Sequence, residues 1–442
     1  MPVQVAIVGA GPSGFYAAAA LLQASDDARI DLIEALPTPF GLIRAGVAPD
    51  HQSTKGVMRA FARTAQAPRV GFYGNVVLGR DVALDELRGL YDAVVLATGA
   101  PRDRPLGIPG ADKPGVYGAA AFVGWYNGHP DFCDLDPDLN TRAVAVIGNG
   151  NVAIDVARVL VKTPAEMAAS DLAQNAAAAI HAAPIENVYL IGRRGPVEAK
   201  FTNKELSEMG ELADCVPVVD PAQLPAEVAG TMSDRDRRLR EKNLATLRAF
   251  ARRQPDEKRK RVRFVFCAKP VEVLNGARVR GLRLERTHVD GGRAEGTGEI
   301  FDIPCGVVIS AIGYRMPPLA GVPVDEAGGI VANQDGRVAP GLYAVGWAKR
   351  GPVGVIGTNK ADGDLVARQI AEDIAPAGRP GGQALEALLR GRGVRWVTFA
   401  DWRRIEAAEV AAAPPGAPRR KLIRIKDMIE VLDRSPGTAI KS

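Results

Sequence analysis

The hydrophobic positions of this chain fall into short apolar runs, each followed by a longer and often Ala-rich stretch. Such short runs are typical of buried strands, and the longer stretches are typical of helices. Two parts of the chain share the order strand, helix, strand. The predicted elements are 3–8, 13–24 and 29–33 in the first part and 144–147, 152–161 and 188–191 in the second. This alternation predicts an α/β protein with parallel sheets.

A glycine-rich turn joins the first strand to the helix in each part. The turns read GAGPSG at residues 9–14 and GNGNVA at residues 148–153. In a dinucleotide-binding turn the first glycine makes the bend, the second lets backbone approach a pyrophosphate, and the third position must be small. These positions are Gly9, Gly11 and Gly14 in the first turn and Gly148, Gly150 and Ala153 in the second. Two such turns in one chain predict two bound dinucleotides and therefore electron transfer.

The order of the elements predicts two Rossmann-like dinucleotide-binding domains, with the second inserted into the first. A buried strand at 307–312 ends the second unit, and a strand at 342–345 returns the chain to the first. The expected boundaries are 1–105 and 330–442 for the first domain, including a C-terminal extension, and 106–329 for the second. Other expected elements are a helix at 54–65, a strand at 76–78 and a helical stretch at 165–182.

The two units differ in charge where their second strands end. Glu34 stands at that end in the first unit, where a carboxylate accepts hydrogen bonds from ribose hydroxyls and repels a 2′-phosphate. In the second unit the strand is followed by Arg193 and Arg194, whose guanidiniums can clamp a 2′-phosphate. We therefore expect FAD at the first turn and NADP(H), in preference to NAD(H), at the second.

Composition narrows the setting of this chemistry. The chain has 442 residues, 47% hydrophobic and 24% charged, which suits a globular protein of two or three domains. No apolar run is long enough to cross a bilayer, and the first predicted strand stands where a leader would lie. We therefore expect a cytoplasmic protein, although a mature organellar protein without its leader would show the same pattern.

The four cysteines are widely separated and form no C-x-x-C pair. The sequence therefore predicts neither a redox disulfide nor an iron–sulfur cluster, and no other spacing indicates a metal site. Bound cofactors or a separate partner must carry the electrons.

The net charge of +5 is unevenly distributed. Residues 235–263 hold thirteen Lys or Arg against four Asp or Glu. Such a patch can steer an acidic partner, whereas the absence of interleaved aromatic residues makes nucleic acid the weaker explanation. The alternative is a solvated amphipathic helix whose inward positions would be Leu239, Leu244, Leu247 and Ala251.

Four segments in residues 3–363 carry a further indication. They are PFGLIRAGVAPDH at 39–51, GNGNVAID at 148–155, RRGP at 193–196 with the block 199–208, and VGW at 345–347 with the chain through 359. In this order they resemble the adrenodoxin-reductase-type ferredoxin–NADP⁺ reductase family. The resemblance implies a flavoprotein in which NADPH gives a hydride to flavin N5. The electrons then leave singly to a small, acidic ferredoxin-type iron–sulfur protein.

The resemblance also assigns roles to residues. It places Arg235, Arg237, Arg238 and Arg240 in a basic docking surface. It implies FAD contacts at Ser13, Glu34, Leu42, Val76, Trp347, Gly354 and Ile356, with Val355 in the same cofactor-binding loop. It implies NADP contacts at Asn149, Asn151, Val152, Arg193, Arg194, Glu205 and Gly354. It also places His51, Asp155 and Glu208 in a polar cluster beside the reacting rings, where a histidine could handle a proton.

Two other functions are compatible with two nucleotide-binding turns. A flavin-dependent monooxygenase would pass electrons to oxygen, although its usual linking motif is not visible. A non-enzymatic NADP(H) sensor would use the fold for binding alone, and would be colourless when purified. A disulfide reductase is disfavoured because the chain has no C-x-x-C pair.

Overall fold

The computed structural model describes residues 1–276 and 278–434. Its strands are β1 Gln4–Val8, β2 Arg29–Glu34, β3 Val70–Gly74, β4 Ala93–Leu96, β5 Arg102–Asp103, β6 Val116–Gly118, β7 Ala143–Ile147, β8 Asn187–Ile191, β9 Cys215–Val219, β10 Lys260–Val265, β11 Ala268–Asn275, β12 Val279–Asp290, β13 Arg293–Pro304, β14 Val307–Ser310, β15 Tyr314–Arg315, β16 Val324–Asp325, β17 Ile330–Val331, β18 Arg337–Ala339 and β19 Leu342–Ala344. Its helices are α1 Pro12–Ala24, α2 Leu42–Ala45, α3 Gln52–Lys55, α4 Met58–Ala65, α5 Leu84–Leu90, α6 Ala119–Asn127, α7 Asn151–Val161, α8 Pro164–Met167, α9 Gln174–Ala182, α10 Asn203–Glu208, α11 Asp234–Ala251, α12 Trp347–Arg350, α13 Asn359–Asp373, α14 Gly382–Gly391, α15 Phe399–Ala411 and α16 Ile425–Asp433.

The first compact unit comprises Met1–Arg102, Asn127–Cys133 and the chain from Tyr314 onward. Its sheet has the strand order β18-β19-β4-β1-β2-β3, and all neighbours are parallel except β18 and β19. Apolar side chains of α1, α4, α13, α15 and α16 cover one face of the sheet, and those of α5 and α14 cover the other. The unit therefore has a core on each side of a buried parallel sheet, as such sheets require.

The second compact unit comprises Asp103–Tyr126 and Asp134–Gly313. Its parallel sheet has the order β6-β14-β7-β8-β10-β9. An antiparallel sheet of β11, β12 and β13 packs its apolar side chains against β7, β8 and β14. Both units thus have the α/β architecture with a central parallel sheet that the apolar pattern predicted.

The chain passes between the units at positions that differ from those expected. The second passage lies after residue 313 instead of 329, because Met316, Val322 and Val331 pack into the core of the first unit. The segment Asn127–Cys133 also belongs to the first unit, within a stretch expected wholly in the second. Residues 435–442 of the expected C-terminal extension lie outside the described residues.

Local interactions also change some predicted elements. The helix expected at 54–65 is two helices, α3 and α4, separated by Gly56 and Val57. The stretch 165–182 is divided because the Ser170 hydroxyl donates to the carbonyl of Met167 and so competes with helical hydrogen bonds. Residues 76–78 form only an isolated bridge, between Leu78 and Val82.

The long basic helix α11 buries Leu244 and Leu247, as expected of an amphipathic helix. The expectation for Leu239 was wrong, since this side chain is 48% exposed one turn before the helix reaches the core. Among the described residues, no helix has the length and apolar character needed to cross a membrane.

Candidate functional site

The two glycine turns have the same backbone hydrogen bonds. The N–H of Gly9 donates to the carbonyl of Ile33 on β2 at 2.7 Å, and the N–H of Gly148 donates to the carbonyl of Ile191 on β8 at 2.8 Å. Each bond ties the turn to the carboxyl end of the neighbouring parallel strand. The helix N-terminus that follows is therefore held beside that strand end, where a phosphate group can bind.

Both positions also require glycine. Gly9 has φ +110° and Gly148 has φ +146°, which are conformations that other residues rarely adopt. A Cβ atom on Gly9 would collide with the carbonyl oxygen of Ala97, and one on Gly148 with that of Ala311. The backbone of each turn consequently lies directly against the next strand of its sheet.

Glu34 closes β2 next to the first turn. Its Oε2 accepts a hydrogen bond from the N–H of Ala10 at 2.8 Å, and its Oε1 accepts one from Leu36 at 3.1 Å. Burial raises the pKa of the Glu34 carboxyl, while these backbone donors lower it. A carboxylate can accept about four hydrogen bonds, so Glu34 can still accept from a ribose.

A loop crosses the first turn. The N–H of Phe40 donates to the carbonyl of Ala10 at 2.7 Å, and Phe40 has φ +82°, a strained conformation for an aromatic residue. A Cβ atom on Gly41 would lie only 3.0 Å from the Cα of Gly11. The next residue, Leu42, begins α2 and is 42% exposed. The predicted FAD contact at Leu42 thus lies just beyond the second glycine of the turn.

Trp347 begins α12 and is half-buried, with its ring stacked 5.9 Å from that of Tyr314. The preceding Gly346 packs directly against Ser13 of α1, so this part of the chain also lies at the first turn. Val76, by contrast, is 1% exposed within the apolar core, and its N–H donates to the carbonyl of Glu34. The structure therefore presents neither the side chain nor the N–H of Val76 at the turn, and its contact with FAD stays a prediction.

The loop after α12 is open. Gly354 is exposed with φ +90°, Val355 is 62% exposed, and Ile356 is half-buried. The N–H of Val355 donates to the Thr358 hydroxyl at 3.1 Å, which fixes the loop just before α13. These three predicted cofactor-binding residues are thus presented together.

The second turn is tied to the block at 199–208. The Asn149 carbonyl accepts a hydrogen bond from the N–H of Lys200 at 2.7 Å, and the Asn151 side chain accepts one from Thr202 at 2.8 Å. The Asn149 amide occupies the space that a side chain at Gly192 would need. These contacts bring together the second turn and a block that lies about fifty residues further along the chain.

The predicted 2′-phosphate clamp follows β8. The carbonyl of Arg193 accepts from the Thr287 hydroxyl at 2.7 Å, and that of Arg194 accepts from the N–H of Cys267 at 3.1 Å. Arg193 is exposed and Arg194 is half-buried. Over residues 1–276 and 278–434, no hydrogen bond or ion pair engages either guanidinium. The backbone is fixed, and both guanidiniums are available to an anion.

Two of the three residues predicted near the reacting rings share a partner. The buried guanidinium of Arg158 donates to Asp155 at 2.7 Å and to Glu208 at 3.1 Å. The side chain of Arg158 is 1% exposed, so a charge is held in the interior by two carboxylates. His51 lies in the first unit and precedes α3, with its N–H donating to the carbonyl of Ala48.

Comparison with known proteins follows this geometry. The family model described as pyridine nucleotide-disulphide oxidoreductase matches residues 3–211. The mitochondrial NADPH:adrenodoxin oxidoreductase of Mus musculus is 42% identical over 452 residues, which cover 97% of this chain and 91% of that protein. NADPH-ferredoxin reductase FprA of Mycobacterium tuberculosis is 41% identical, over 97% of this chain and 99% of that protein. The solved structure of that FprA in complex with NADPH has a TM-score of 0.92 and 40% identity, covering 98% of this chain and 99% of that one.

The chain belongs to the adrenodoxin-reductase-type ferredoxin–NADP⁺ reductases. This family consists of FAD- and NADP-dependent oxidoreductases with two dinucleotide-binding domains, so the resemblance carried by the four segments is confirmed, as is the predicted fold class. The predicted cofactors, FAD and NADP(H), are those of the family.

The residues of this reductase fit both cofactors. The Thr98 hydroxyl, just after β4 at the first turn, is buried and has no hydrogen-bond partner in the described part of the chain. In the second unit, one carboxylate oxygen of Glu205, on α10, is likewise buried and has no hydrogen-bond partner among the described residues. A buried polar atom without a partner costs free energy, so each is suited to a polar group of a bound ligand.

The cysteines of this reductase are free. Burial raises the pKa of the Cys215 and Cys305 thiols to about 12, so neither forms a thiolate near neutral pH. Cys133 and Cys267 are half-buried.

Sequence reasoning missed Arg158, which organises two of the predicted polar residues. The available signal was a single arginine within the otherwise apolar helix α7, three residues after Asp155. A charged side chain on the buried face of a helix needs a charged partner. The partner Glu208 is fifty positions away, and its identity could not be read from the pattern.

Proposed function

We propose that this chain binds FAD at the first turn and NADP(H) at the second, and passes electrons from NADPH to a ferredoxin-type iron–sulfur protein. The observation that carries the proposal is the difference between two otherwise equivalent strand ends. Glu34 ends β2, where its carboxylate accepts from Ala10. Arg193 and Arg194 follow β8, and their guanidiniums are available to an anion. FAD, when bound, supplies the redox chemistry, because a flavin couples two-electron nicotinamides to one-electron iron–sulfur carriers.

The protein's own residues bind and orient the two nucleotides. At the first turn, the N–H groups of α1 face the pyrophosphate and Glu34 accepts from the ribose hydroxyls. At the second turn, Arg193 and Arg194 form charge-assisted hydrogen bonds with the 2′-phosphate, and Glu205 accepts from a polar hydrogen of the nucleotide. The Arg158 guanidinium holds Asp155 and Glu208 in fixed positions.

The basic helix α11 supports an acidic partner. Arg235 and Arg238 are exposed, together with Leu239 and Lys242 on the same helical face. Arg237 is different, because its guanidinium donates to backbone carbonyls before the helix. Arg240, also expected in the docking surface, is half-buried. Arg235 and Arg238 are therefore the stronger docking candidates.

Reduction of cytochrome c through added ferredoxins tests the proposed activity. The purified protein should be yellow, and NADPH should support reduction far better than NADH. A colourless protein, or rapid oxygen consumption with no ferredoxin reduction, would contradict the proposal.

Charge reversal tests the docking surface. Arg235→Glu should lower kcat/KM for an acidic ferredoxin about tenfold at low ionic strength, and by less at high salt. The matched control is Arg293→Glu, which makes the same charge change in the exposed hairpin between β12 and β13. Equal effects of the two substitutions would show that net charge, not a docking surface, controls the rate.

A cytoplasmic location is also part of the proposal. The relatives include mitochondrial proteins, so location differs within the family. Immunoblotting of cytosolic, organellar and membrane fractions from the native source would test it.

A further inference from the structure

A buried ion pair joins the loop over the first turn to the C-terminal segment. The guanidinium of Arg44 donates to both oxygens of Glu409, at 2.8 Å and 2.5 Å. The Glu409 side chain is fully buried and also accepts from the N–H of Leu422 at 2.8 Å. The Arg44 guanidinium lies over the Trp402 ring, 5.1 Å from its centre. Residues from positions 44, 402 and 409 thus form one contact network.

A second cation holds the same loop from its backbone. Lys421 is buried, and its Nζ donates to the carbonyl of Arg44 at 2.9 Å and to the carbonyl of Asn127 at 3.0 Å. Arg44 is therefore held at both ends, by Glu409 at its guanidinium and by Lys421 at its main chain. A buried lysine is costly, so its three acceptors indicate a fixed geometry.

The loop that these contacts hold carries the backbone over the first turn. Phe40, four residues before Arg44, donates to Ala10 and has the positive φ described above. The Phe40 ring packs edge-on against Trp402, 6.1 Å from its centre. A strained conformation persists only where its surroundings determine it, and here part of those surroundings is the C-terminal segment.

We propose that the segment Phe399–Leu432, the C-terminal brace, holds the loop at residues 39–51 in the position that retains FAD. Glu409 and Lys421 are positioning residues, since they touch Arg44 and act on the cofactor through the loop. A buried ion pair fixes one arrangement of its partners, and removing one partner also destabilises the fold because a buried charge is left unpaired. The effect on FAD retention is therefore measured against an equal loss of stability. This inference rests on the proposed FAD site and goes beyond it.

The test measures the rate of FAD release, from the rise in flavin fluorescence on dilution of the purified protein. Glu409→Gln should release FAD at least tenfold faster than the wild type, and the visible absorption of the bound flavin should shift as its surroundings loosen. Glu430→Gln is the matched control within the brace, because it makes the same substitution at an exposed carboxylate that pairs with Arg434.

A second control separates retention from general stability. Leu389→Ala removes a fully buried side chain from the core on the opposite face of the sheet. It should lower the melting temperature without changing FAD release. If Leu389→Ala releases FAD as fast as Glu409→Gln at equal loss of melting temperature, the brace has no specific role.

Milder substitutions cover the case in which Glu409→Gln does not fold. Lys421→Met removes the second cation, and Trp402→Phe keeps an aromatic ring while changing its contact with Arg44. Both should accelerate FAD release, Trp402→Phe by about threefold. The inference would be overturned if Trp402→Phe, together with Lys421→Met or Glu409→Gln, released FAD at the wild-type rate. A wild-type protein without FAD would instead contradict the proposed function.

Discussion

The two dinucleotide turns have the same backbone hydrogen bonds but different surroundings. Over the first turn, the backbone of Gly41 lies against Gly11, and the loop that carries it is held by the C-terminal brace. Over the second, a Cβ atom on Gly150 would meet nothing within 4 Å, and Arg193 is exposed. Each turn is crossed by another segment of its own unit, since Phe40 donates to Ala10 and Lys200 donates to Asn149, both at 2.7 Å. Only the first turn is also approached at its second glycine.

This difference indicates how the same motif can serve a resident and an exchanging nucleotide. A covered turn slows release, because the loop must move before the ligand can leave. A turn whose second glycine is uncovered, with cationic side chains nearby, favours rapid binding, because electrostatic attraction acts over a longer range than contact. The turn sets where the pyrophosphate binds, and the surrounding segments set how long it stays.

The largest expected effects come from the first glycine of each turn. Gly9→Ala should give protein without FAD, because the methyl group collides with the backbone beside Ala97. Gly148→Ala should retain FAD but lose NADPH-dependent activity by about 100-fold or more, since the strain alone costs about 1–3 kcal/mol before the collision is counted. Flavin absorbance measures the FAD content of each variant, and steady-state kinetics with NADPH measure its activity. If Gly148→Ala also lost FAD, the two turns would not be independent.

A buried carboxyl distinguishes the second strands of the two units. Asp31 on β2 pairs with Ala6 of β1, and the equivalent residue in the second unit is Tyr189 on β8, which pairs with Ala145 of β7. Burial raises the pKa of Asp31 to about 6, although a hydrogen bond from Tyr91 opposes the rise. Because its pKa is higher in the folded state, protonated Asp31 stabilises the fold. This stabilisation is complete below about pH 4 and is lost as the pH rises through about 6.

Asp31→Asn should accordingly remove this pH dependence. The wild type should lose up to about 3 kcal/mol of unfolding free energy between about pH 4 and pH 7 relative to the variant, since one pKa unit is about 1.4 kcal/mol. Urea unfolding at several pH values measures the difference. Asp27→Asn, at an exposed site in the same unit, is the control. Parallel curves for wild type and Asp31→Asn would exclude Asp31 as the titrating group.

Substitution of Arg193 and Arg194 tests whether the second turn selects NADPH over NADH. Arg193→Ala and Arg194→Ala should each lower kcat/KM for NADPH about 10- to 100-fold, because a hydrogen bond to a charged group contributes about 1.5–3 kcal/mol. The values for NADH should change little. Steady-state kinetics with both nucleotides, with Arg293→Ala as the control, measure the ratio. Equal losses with NADPH and NADH would show that the guanidiniums do not bind the 2′-phosphate.

The smallest expected effect is that of His51. His51→Ala should slow flavin reduction by NADPH about tenfold and leave FAD bound, since one hydrogen bond contributes about 1 kcal/mol and charge can increase this. Stopped-flow absorbance at the flavin band measures the rate. His288→Ala, in the exposed hairpin, provides the control. Unchanged kinetics in His51→Ala would remove this residue from the mechanism.

Much of the architecture could be predicted because it depends on local patterns. The apolar runs that became β1 and β7, and the glycines after them, act over a few residues. Glu34 could be located by its distance from the turn, and its carboxylate does lie against Ala10. The assignments of Leu42 and Glu205 to cofactors came from the family resemblance and stay predictions.

The remainder depends on contacts between distant parts of the sequence. Arg44 and Glu409 are 365 positions apart, and neither has a local pattern that names the other. Leu239 lies five residues before the buried Leu244, so it faces a different side of α11 and is exposed with Arg235 and Arg238. Ser170 interrupts a helix through its own hydroxyl, which an Ala-rich composition conceals.

The connectivity of the two sheets has a consequence for biosynthesis. The second unit completes its sheet with β14, which ends at Ser310. The first unit, although it begins at the N-terminus, needs β19 for its sheet and residues near 421 for the cover of its turn. Domains generally form as the ribosome delivers them. The nascent polypeptide therefore completes the sheet of its internal nucleotide unit first, and completes the cover of the first turn only after residues near 421 have been made.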